Sequence, residues 1–345
     1  MTHTFALRRL VDPSVRPFTI LLCAIFTLAV ADRGGGRFLS LATAFSVMQL
    51  FATLGPVALG LGLSMLIREF DLSVAGMLSL AGCVAVLTGA GNPWLGAFLG
   101  VGVGIAGGTL QGLVMTGLRI RSVGVTLGGL LTFEGITHVL TRSQTIVYPN
   151  MGIALVLNEP ILGVLSMRSA ITVAVFLIAA MVMSLTRIGR DVVATGSDRR
   201  ASRVAGVSTD SVVIGVFAVS GGLSALAGVL LSYSLAAASP IALSDVLVPA
   251  SAAAIIGGVS LAGGRGRPLS IGAGVLILCL LRSGLNAVGA SPYLHEIATG
   301  AVLLMVAVVD APLLARRVRS WRRRLSSSQL RRDGATYLSP PASSG

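Results

Sequence analysis

The chain has 345 residues, of which 54% are hydrophobic and only 11% are charged, whereas a soluble domain is about one quarter charged. Its mean hydropathy of +0.89 excludes an ordinary soluble globule and indicates a chain embedded in lipid. Aromatic residues make up 5%, too few for the aromatic girdles of a membrane β-barrel. The formal net charge of +13 is therefore better explained by basic cytoplasmic loops than by nucleic-acid binding.

Apolar runs separated by polar breaks predict about ten transmembrane helices, because a helix satisfies its own backbone hydrogen bonds within lipid. Turn-forming residues at 91–93, 239–240, 263–266 and 291–292 agree with four of the breaks. The stretch 38–48 is also apolar and fits either an interfacial helix or an extension of the second span. The sequence thus predicts an all-α polytopic membrane protein with spans at 17–31, 49–67, 72–91, 95–117, 123–141, 169–186, 211–235, 246–262, 269–289 and 294–311.

The distribution of arginine predicts the orientation of these spans, because cytoplasmic loops carry an excess of basic residues. With the N-terminus inside, 21 arginines lie in cytoplasmic segments and 4 in external segments. Both termini are therefore predicted to be cytoplasmic, and the longer polar segment 142–168 is predicted to be an external loop. Arg282 falls inside a span, and the four external arginines are Arg33, Arg37, Arg142 and Arg168.

The chain is predicted to form one transmembrane domain over 17–311, with a short cytoplasmic segment at 1–16 and a basic, disordered cytoplasmic tail at 312–345. The first span has a second interpretation, since the arginines at 8–9, a short apolar run and the Ala-Val-Ala sequence at 29–31 imitate a cleavable signal peptide. We expect an uncleaved anchor. Cleavage would leave the orientation of the later spans unchanged.

Several catalytic and metal-binding patterns are missing from the sequence. It contains no lysine, so it cannot form a G-x-x-x-x-G-K-[ST] phosphate loop, and ATP hydrolysis would require a separate chain. The three cysteines lie in apolar runs, and His3, His138 and His295 are too scattered for a metal site. No G-x-S-x-G nucleophile elbow supports a membrane-embedded enzyme. We therefore predict a chain without catalytic residues, bound metal or other cofactor.

Three motifs lie at predicted cytoplasmic ends of the spans. The first is E-F-D-L-S-V-A-G at 69–76, where the third span begins. The second is G-R-D-V-V-A-T-G-S-D-R-R-A-S-R-V-A-G-V at 189–207, in the longest internal polar segment. The third is I-I-G-G-V-S-L-A-G-G-R-G at 255–266, which leads into Gly284-Leu285-Asn286.

In this order and spacing the three motifs resemble the permeases of bacterial carbohydrate-uptake ATP-binding cassette (ABC) transporters, the ribose, xylose and arabinose type. The corresponding patterns of that family are G-I-D-L-S-V-G, then G-R-x-x-x-A-x-G-G-N-x-x-A-A-R-x-x-G-I, then V-I-G-G-T-S-L-A-G-G-x-G. The resemblance extends from about residue 50 to residue 311. One departure is Pro249, where the family commonly has an acidic residue.

The resemblance implies a multi-pass permease subunit of the bacterial inner membrane that forms the translocation path for a sugar or sugar-like solute. Its partners would be an ABC ATPase subunit, an extracytoplasmic solute-binding protein, a second permease copy or paralogue, and membrane lipid. One alternative is a related ABC importer for branched-chain amino acids or nucleosides. Another is a secondary transporter without an ATPase, in which Glu134 and His138 would relay protons.

Each motif also has a physical role that does not depend on the resemblance. Asp71 precedes a helix on the cytoplasmic side, where it can cap free N–H groups; a part in gating is the other interpretation. A short helix over 194–206, ended by glycine, is expected to lie on the membrane. The segment 187–210 is either a solvated loop or a docking surface, and the resemblance places the ATPase contact here. The two glycine pairs of the third motif fit tight packing and a turn, whereas the resemblance implies a cytoplasmic loop near the ATPase.

These considerations define the candidate functional residues. The helix-start motif comprises Asp71, Leu72 and Ser73. The second cytoplasmic loop comprises Gly263, Gly264, Arg265 and Arg267. The ATPase-coupling loop comprises Gly189, Arg190, Gly196, Asp198, Ala201, Arg203 and Gly206.

Polar residues inside predicted spans are costly in lipid and usually face a cavity or a partner. Glu134 and His138 are four residues apart and share one helix face, and Arg282 and Asn286 repeat that spacing on the ninth span. Glu134 and Arg282 lie at similar depth, so an ion pair between them is our favoured interpretation. Direct contact with the substrate is the alternative. The family more often has a basic residue near Glu134 and a neutral amide near Arg282.

Overall fold

The computed structural model divides into two units, 1–299 and 300–345. Of the second unit only residues 300–302 and 304 are described, so the fold below is that of the first. The predicted tail at 312–345 and nearly all of the segment at 1–16 lie outside the described residues, as do parts of the tenth predicted span. The described residues are 16–31, 40–241, 244–287, 289–291, 293–302 and 304.

Helices dominate the described residues. The first five are α1 Arg16–Ala31, α2 Leu41–Leu66, α3 Val74–Thr88, α4 Pro93–Leu118 and α5 Ser122–Thr141. The next five are α6 Met151–Asn158, α7 Met167–Leu185, α8 Arg187–Ser197, α9 Arg199–Val204 and α10 Thr209–Ser234. A 3₁₀ turn at Ser244–Val246 precedes α11 Leu247–Ile256 and α12 Pro268–Ala287, and residues 293–299 are also helical. Two short antiparallel strands, β1 Ile146–Val147 and β2 Ala237–Ala238, pair with each other.

Among the described helices, six are long and apolar enough to cross a membrane, namely α2, α4, α5, α7, α10 and α12. The second span begins at Leu41, so the apolar stretch before residue 49 extends α2, although residues 38–39 lie outside the described part. The spans predicted at 72–91 and 246–262 are shorter than expected, since α3 has 15 residues and α11 has 10. Helix α11 stops because Gly258 adopts a left-handed φ of 83°, which turns the chain away from the helix axis.

Helix α10 lies at the centre of the bundle and packs against α2, α3 and α4. Glycines let these backbones approach closely. A Cβ at Gly108 of α4 would lie 2.1 Å from the carbonyl oxygen of Phe217, and a Cβ at Gly228 of α10 would lie 2.0 Å from that of Leu78. Lipid provides little hydrophobic drive for helix association, so close packing of small residues is what joins these helices.

Two ends of the bundle are defined by hydrogen bonds between segments. At one, which we call the cavity end, Gln49 of α2 contacts Arg168 of α7. At the other, the junction end, the carbonyl of Leu66 accepts a hydrogen bond from the N–H of Gly264. Residues 49 and 66 are separated by about 26 Å along α2 at 1.5 Å per residue, close to the thickness of a bilayer core.

Successive segments run alternately between these two ends. Helix α2 runs from the cavity end to the junction end, and α3 returns. Helices α4 and α5 repeat that pair, α7 runs to the junction end, and α10 comes back to Ser234 at the cavity end. The chain through α11 returns to the junction end before α12 starts.

The segment predicted to be an external loop, 142–168, is folded rather than irregular. It contains β1 and α6, and β1 pairs with β2 beside the end of α10. Tyr148 is fully buried, stacks on Tyr233 with ring centroids 4.8 Å apart, and donates a 2.8 Å hydrogen bond to the carbonyl oxygen of Gly89. Tyr148 therefore anchors this segment to the end of α3.

We expect Tyr148→Phe to destabilise the protein by about 1–2 kcal/mol, because the carbonyl of Gly89 would remain buried without its donor. The measurement is the thermal unfolding midpoint of the purified protein in detergent. Tyr293→Phe is the matched control, since that ring is 62% exposed. Equal midpoints for the two variants would show that the Tyr148 hydrogen bond does not anchor the segment.

Candidate functional site

The coupling-loop residues predicted from sequence form two helices at the junction end. The single helix expected over 194–206 is wrong in detail, because Asp198 interrupts it between α8 and α9. The Oδ1 atom of Asp198 accepts hydrogen bonds of 2.9 Å from the backbone N–H groups of Ala201 and Arg200 and so caps α9. These hydrogen bonds, that from Ala201 first, hold the pKa of the exposed Asp198 carboxyl below its ordinary value.

The three sequence motifs converge where α8 ends. A Cβ at Gly196 would lie 1.8 Å from the carbonyl oxygen of Leu66, so only glycine permits this approach of the two backbones. The same Leu66 oxygen accepts the N–H of Gly264 at 2.8 Å. The Arg199 guanidinium pairs with Glu69 at 2.9 Å. We call this contact of 66–69, 196–199 and 263–264 the junction.

The remaining coupling-loop residues have distinct environments. Gly189 is buried at the sharp turn from α7, where a Cβ would lie 2.1 Å from the carbonyl oxygen of Met183. Arg203 pairs with Asp210 at 2.6 Å and so connects α9 to α10. Gly206 has a φ of 88° and ends α9. Seven of the residues predicted for the two loops are exposed, namely Arg190, Asp198, Ala201, Arg203, Gly206, Arg265 and Arg267.

The helix-start motif is buried and does more than cap a helix. Asp71 is 1% exposed, and its Oδ1 atom accepts hydrogen bonds from the Ser73 N–H at 3.0 Å and the Ser73 hydroxyl at 2.6 Å. Its Oδ2 atom accepts a 2.7 Å hydrogen bond from Ser220 of α10. Ser220 is about 16 Å along α10 from Thr209. The non-helical backbone at Asp71 therefore lies deep in the protein, where Leu72 is partly buried.

The predicted ion pair between Glu134 and Arg282 is not formed in the described part of the chain. Helix α5, which carries Glu134, packs on α3 and α4, whereas α12, which carries Arg282, packs on α1, α2, α7 and α11. The two residues were predicted to lie at similar depth in the membrane, but the helices that carry them are not neighbours in the bundle. The His138 ring contacts the hydroxyl of Ser143 at 3.2 Å, near the end of α5.

A cavity of about 780 Å³ opens at the cavity end, among α2, α6, α7, α10 and α12. Of the four predicted intramembrane polar residues, Asn286 lines it and the other three do not. The polar side chains in its lining are amides, hydroxyls and one guanidinium: Thr43, Ser46, Gln49, Thr53, Asn158, Arg168, Ser234, Ser283 and Asn286.

Arg168 and Gln49 are polar cavity-lining residues that the sequence analysis did not select as candidates. Arg168 was counted as an external arginine, yet it is 5% exposed. Its Nη2 and Nε atoms donate to Gln49 Oε1 at 2.7 and 3.1 Å, and its Nη1 atom donates to the Ser234 hydroxyl at 2.7 Å. The Asn158 amide donates a 2.9 Å hydrogen bond to the backbone carbonyl oxygen of Ser234. The one available signal was Gln49 itself, a lone amide in an apolar run.

Comparison with known proteins identifies the family. Residues 43–307 match the family described as "Branched-chain amino acid transport system / permease component". The ribose import permease protein of Escherichia coli K12 is 30% identical over 305 residues, which is 84% of this chain and 92% of the relative. The L-arabinose transport system permease protein of the same strain is 28% identical over 292 residues, 84% of this chain and 86% of the relative. The D-allose transport system permease protein of the same strain is 31% identical over 264 residues, which is 74% of this chain and 79% of the relative.

The chain therefore belongs to this family of transport permeases, and the resemblance inferred from the three motifs is confirmed. Membership makes it a transport component of the membrane rather than an enzyme. No solved structure matches the chain.

We expect Gly196→Ala to loosen the junction, because the added Cβ would overlap the Leu66 carbonyl and force the backbones apart. Overpacking of this kind costs about 1–3 kcal/mol. The measurement is the thermal midpoint of the purified protein. Gly215→Ala on α10 is the matched control, since a Cβ there meets nothing within 4 Å. A Gly196→Ala midpoint as high as the control would mean that the two backbones can separate at no cost.

Proposed function

We propose that the chain forms the translocation path of an ABC importer for a sugar or sugar-like solute in a bacterial inner membrane. The observation that carries this proposal is a solute-sized cavity at the opposite end of α2 from the junction, in which amides, hydroxyls and one guanidinium lie among apolar side chains. Three relatives that match most of this chain are named as ribose, L-arabinose and D-allose permeases. Hydroxyls and amides are the groups that hydrogen-bond to sugar hydroxyls.

The proposed topology has ten segments and both termini in the cytoplasm, with the junction inside and the cavity outside. The alternating direction of the described segments between the two ends supports an even count when α1 and 294–311 are included. Arginine placement supports the orientation, because arginines cluster on α8 and α9 at the junction end. The transmembrane domain is proposed to span 17–311, with cytoplasmic ends at 1–16 and 312–345.

The ATPase is proposed to dock on α8 and α9. Arg190 and Arg200 are exposed there, and Ile188 and Val204 expose 63% and 87% of their surface. Exposed apolar side chains on the same two helices as exposed cations are suited to a protein partner. ATP binding on the partner would move α8, and the contacts of Gly196 and Arg199 with 66–69 would carry that movement to α2 and Asp71.

A second permease copy or paralogue and an extracytoplasmic solute-binding protein complete the proposed machine. Only 17% and 22% of the residues in an 18-residue apolar stretch of α5 and of α7 are buried, so these helices leave apolar faces for lipid or a second copy. The binding protein would deliver solute at the cavity end.

The alternatives fit the site less well. A branched-chain amino acid is a zwitterion: Arg168 can pair with its carboxylate, but the described lining residues include no carboxylate to pair with its ammonium group. A secondary transporter using Glu134 and His138 as a proton relay would place those groups on the solute path. Neither residue lines the cavity.

Reversing charge at Arg190 and Arg200 together is expected to reduce co-purification of the ATPase at least tenfold, because both side chains are exposed on the proposed docking surface. The measurement is the ATPase recovered with the tagged permease from membranes. Arg142→Glu, an exposed arginine at the cavity end, is the control and should leave recovery unchanged. Unaltered recovery with the double variant would remove α8 and α9 from the ATPase contact. Arg203 is unsuitable for this test, because its pairing with Asp210 joins α9 to α10.

The orientation predicts which exposed positions an impermeant thiol reagent reaches in intact cells. Glu159→Cys at the cavity end should be labelled, and Ala201→Cys at the junction end should react only after the membrane is opened. Both positions are exposed in the structure, so a difference reports sidedness rather than burial. Labelling of Ala201→Cys in intact cells would invert the proposed topology.

A further inference from the structure

Among the described residues that line the cavity there is one formal charge and no opposite charge. Arg168 is the sole ionisable residue of this described lining, and the other polar groups there are neutral amides and hydroxyls. The acceptors that Arg168 contacts are the side-chain and backbone oxygens of Gln49 and the Ser234 hydroxyl. Among the described residues no carboxylate forms an ion pair with it. A positive charge thus faces the cavity without a counter-charge from the described protein.

Such an arrangement lowers the stability of the protein unless an anion offsets the charge. An unpaired cation removed from water is strongly unfavourable, whereas a partner anion offsets much of that cost. Nη2 donates to two oxygens of Gln49, and Nε and Nη1 donate one hydrogen bond each. A guanidinium has five N–H donors, so one N–H on Nη1 has no acceptor among the described residues.

We propose that the cavity takes a polyhydroxylated solute that carries an acidic group, a carboxylate or a phosphate, with Arg168 as its counter-charge. This proposal rests on the proposed function and adds the charge of the solute to it. The neutral amides and hydroxyls bind the hydroxyl groups of the solute, among them Asn286 and Ser283 of α12 on the side of the cavity formed by that helix. An amino sugar is disfavoured, because its ammonium group would face Arg168.

The charge of the cavity can be tested without knowing the solute. Ser46 is exposed and lines the cavity, so Ser46→Cys places a thiol there; Cys23 is replaced by alanine, and Cys83 and Cys279 are buried. The measured quantity is the reaction rate with an anionic methanethiosulfonate divided by the rate with a cationic one, in the purified full chain. This rate ratio should be roughly tenfold higher at Ser46→Cys than at Gly91→Cys, an exposed loop position that serves as the control. Equal ratios at the two positions would overturn the proposal.

Two further variants assign the effect to Arg168. Gln49→Glu keeps the shape of the side chain and places a carboxylate against Arg168, so it neutralises the cavity while the guanidinium remains. Arg168→Lys keeps the charge. The rate ratio should fall to the Gly91→Cys value with Gln49→Glu and persist with Arg168→Lys. A ratio that Gln49→Glu leaves unchanged would mean that another group provides the potential.

Solute binding provides the second measurement, by calorimetry on the full chain in lipid nanodiscs. Glucose, glucuronate, glucose 6-phosphate and glucosamine share one ring and differ in charge. We expect one or both anionic sugars to bind roughly tenfold more tightly than glucose. Glucosamine is expected to bind most weakly of the four. The better of the two anions distinguishes a carboxylate from a phosphate.

Binding of all four sugars with equal affinity would overturn the acidic-solute proposal and leave the sugar permease intact. Binding of none of them would also count against it. Failure of the proposed function itself is seen separately, as failure of the unmodified chain to co-purify with an ATPase.

Discussion

Backbone contact at glycine is the constraint on which the rest of this structure depends. Helices in lipid associate through close packing and interhelical hydrogen bonds, because lipid is as apolar as their side chains. At Gly108 and Gly228 the backbone of α10 approaches α4 and α3 so closely that a single methyl group would overlap a carbonyl oxygen. With α10 fixed in this way, Ser220 meets Asp71 inside the protein and Ser234 meets Arg168 at the cavity end.

The same principle operates at the junction, for which we propose a role in transmission. Gly196 and Gly264 bring two segments against the last turn of α2, so a force on α8 would act directly on backbone and not through flexible side chains. Helix α2 runs from there to Gln49, and Pro56 within it removes one helix hydrogen bond. In the proposed mechanism a displacement at the junction follows this helix to the contact between Gln49 and Arg168.

Sequence reasoning identified the segments that are local in the chain and missed the contacts that are not. The motifs at 69–76, 189–207 and 255–266 were found because glycine, aspartate and arginine have recognisable roles at helix ends. The Glu134–Arg282 pair failed because counting residues from a helix end gives depth, whereas neighbours also depend on the position of each helix around the bundle. Arg168 was assigned to an external loop because its burial is created by Gln49 and Ser234, 119 and 66 residues away.

The two buried charges illustrate why surroundings, rather than charge alone, decide function. Asp71 accepts hydrogen bonds at both oxygens and is not among the residues that line the cavity, so the protein itself satisfies it and its role is to join α3 to α10. Arg168 is also buried, at 5% exposed, yet it lines the cavity and keeps one donor without an acceptor among the described residues. A charge satisfied entirely by its own protein stabilises a fold. A charge that faces a cavity without a counter-ion is available to whatever enters, and this difference makes Arg168, not Asp71, the group through which solutes are distinguished.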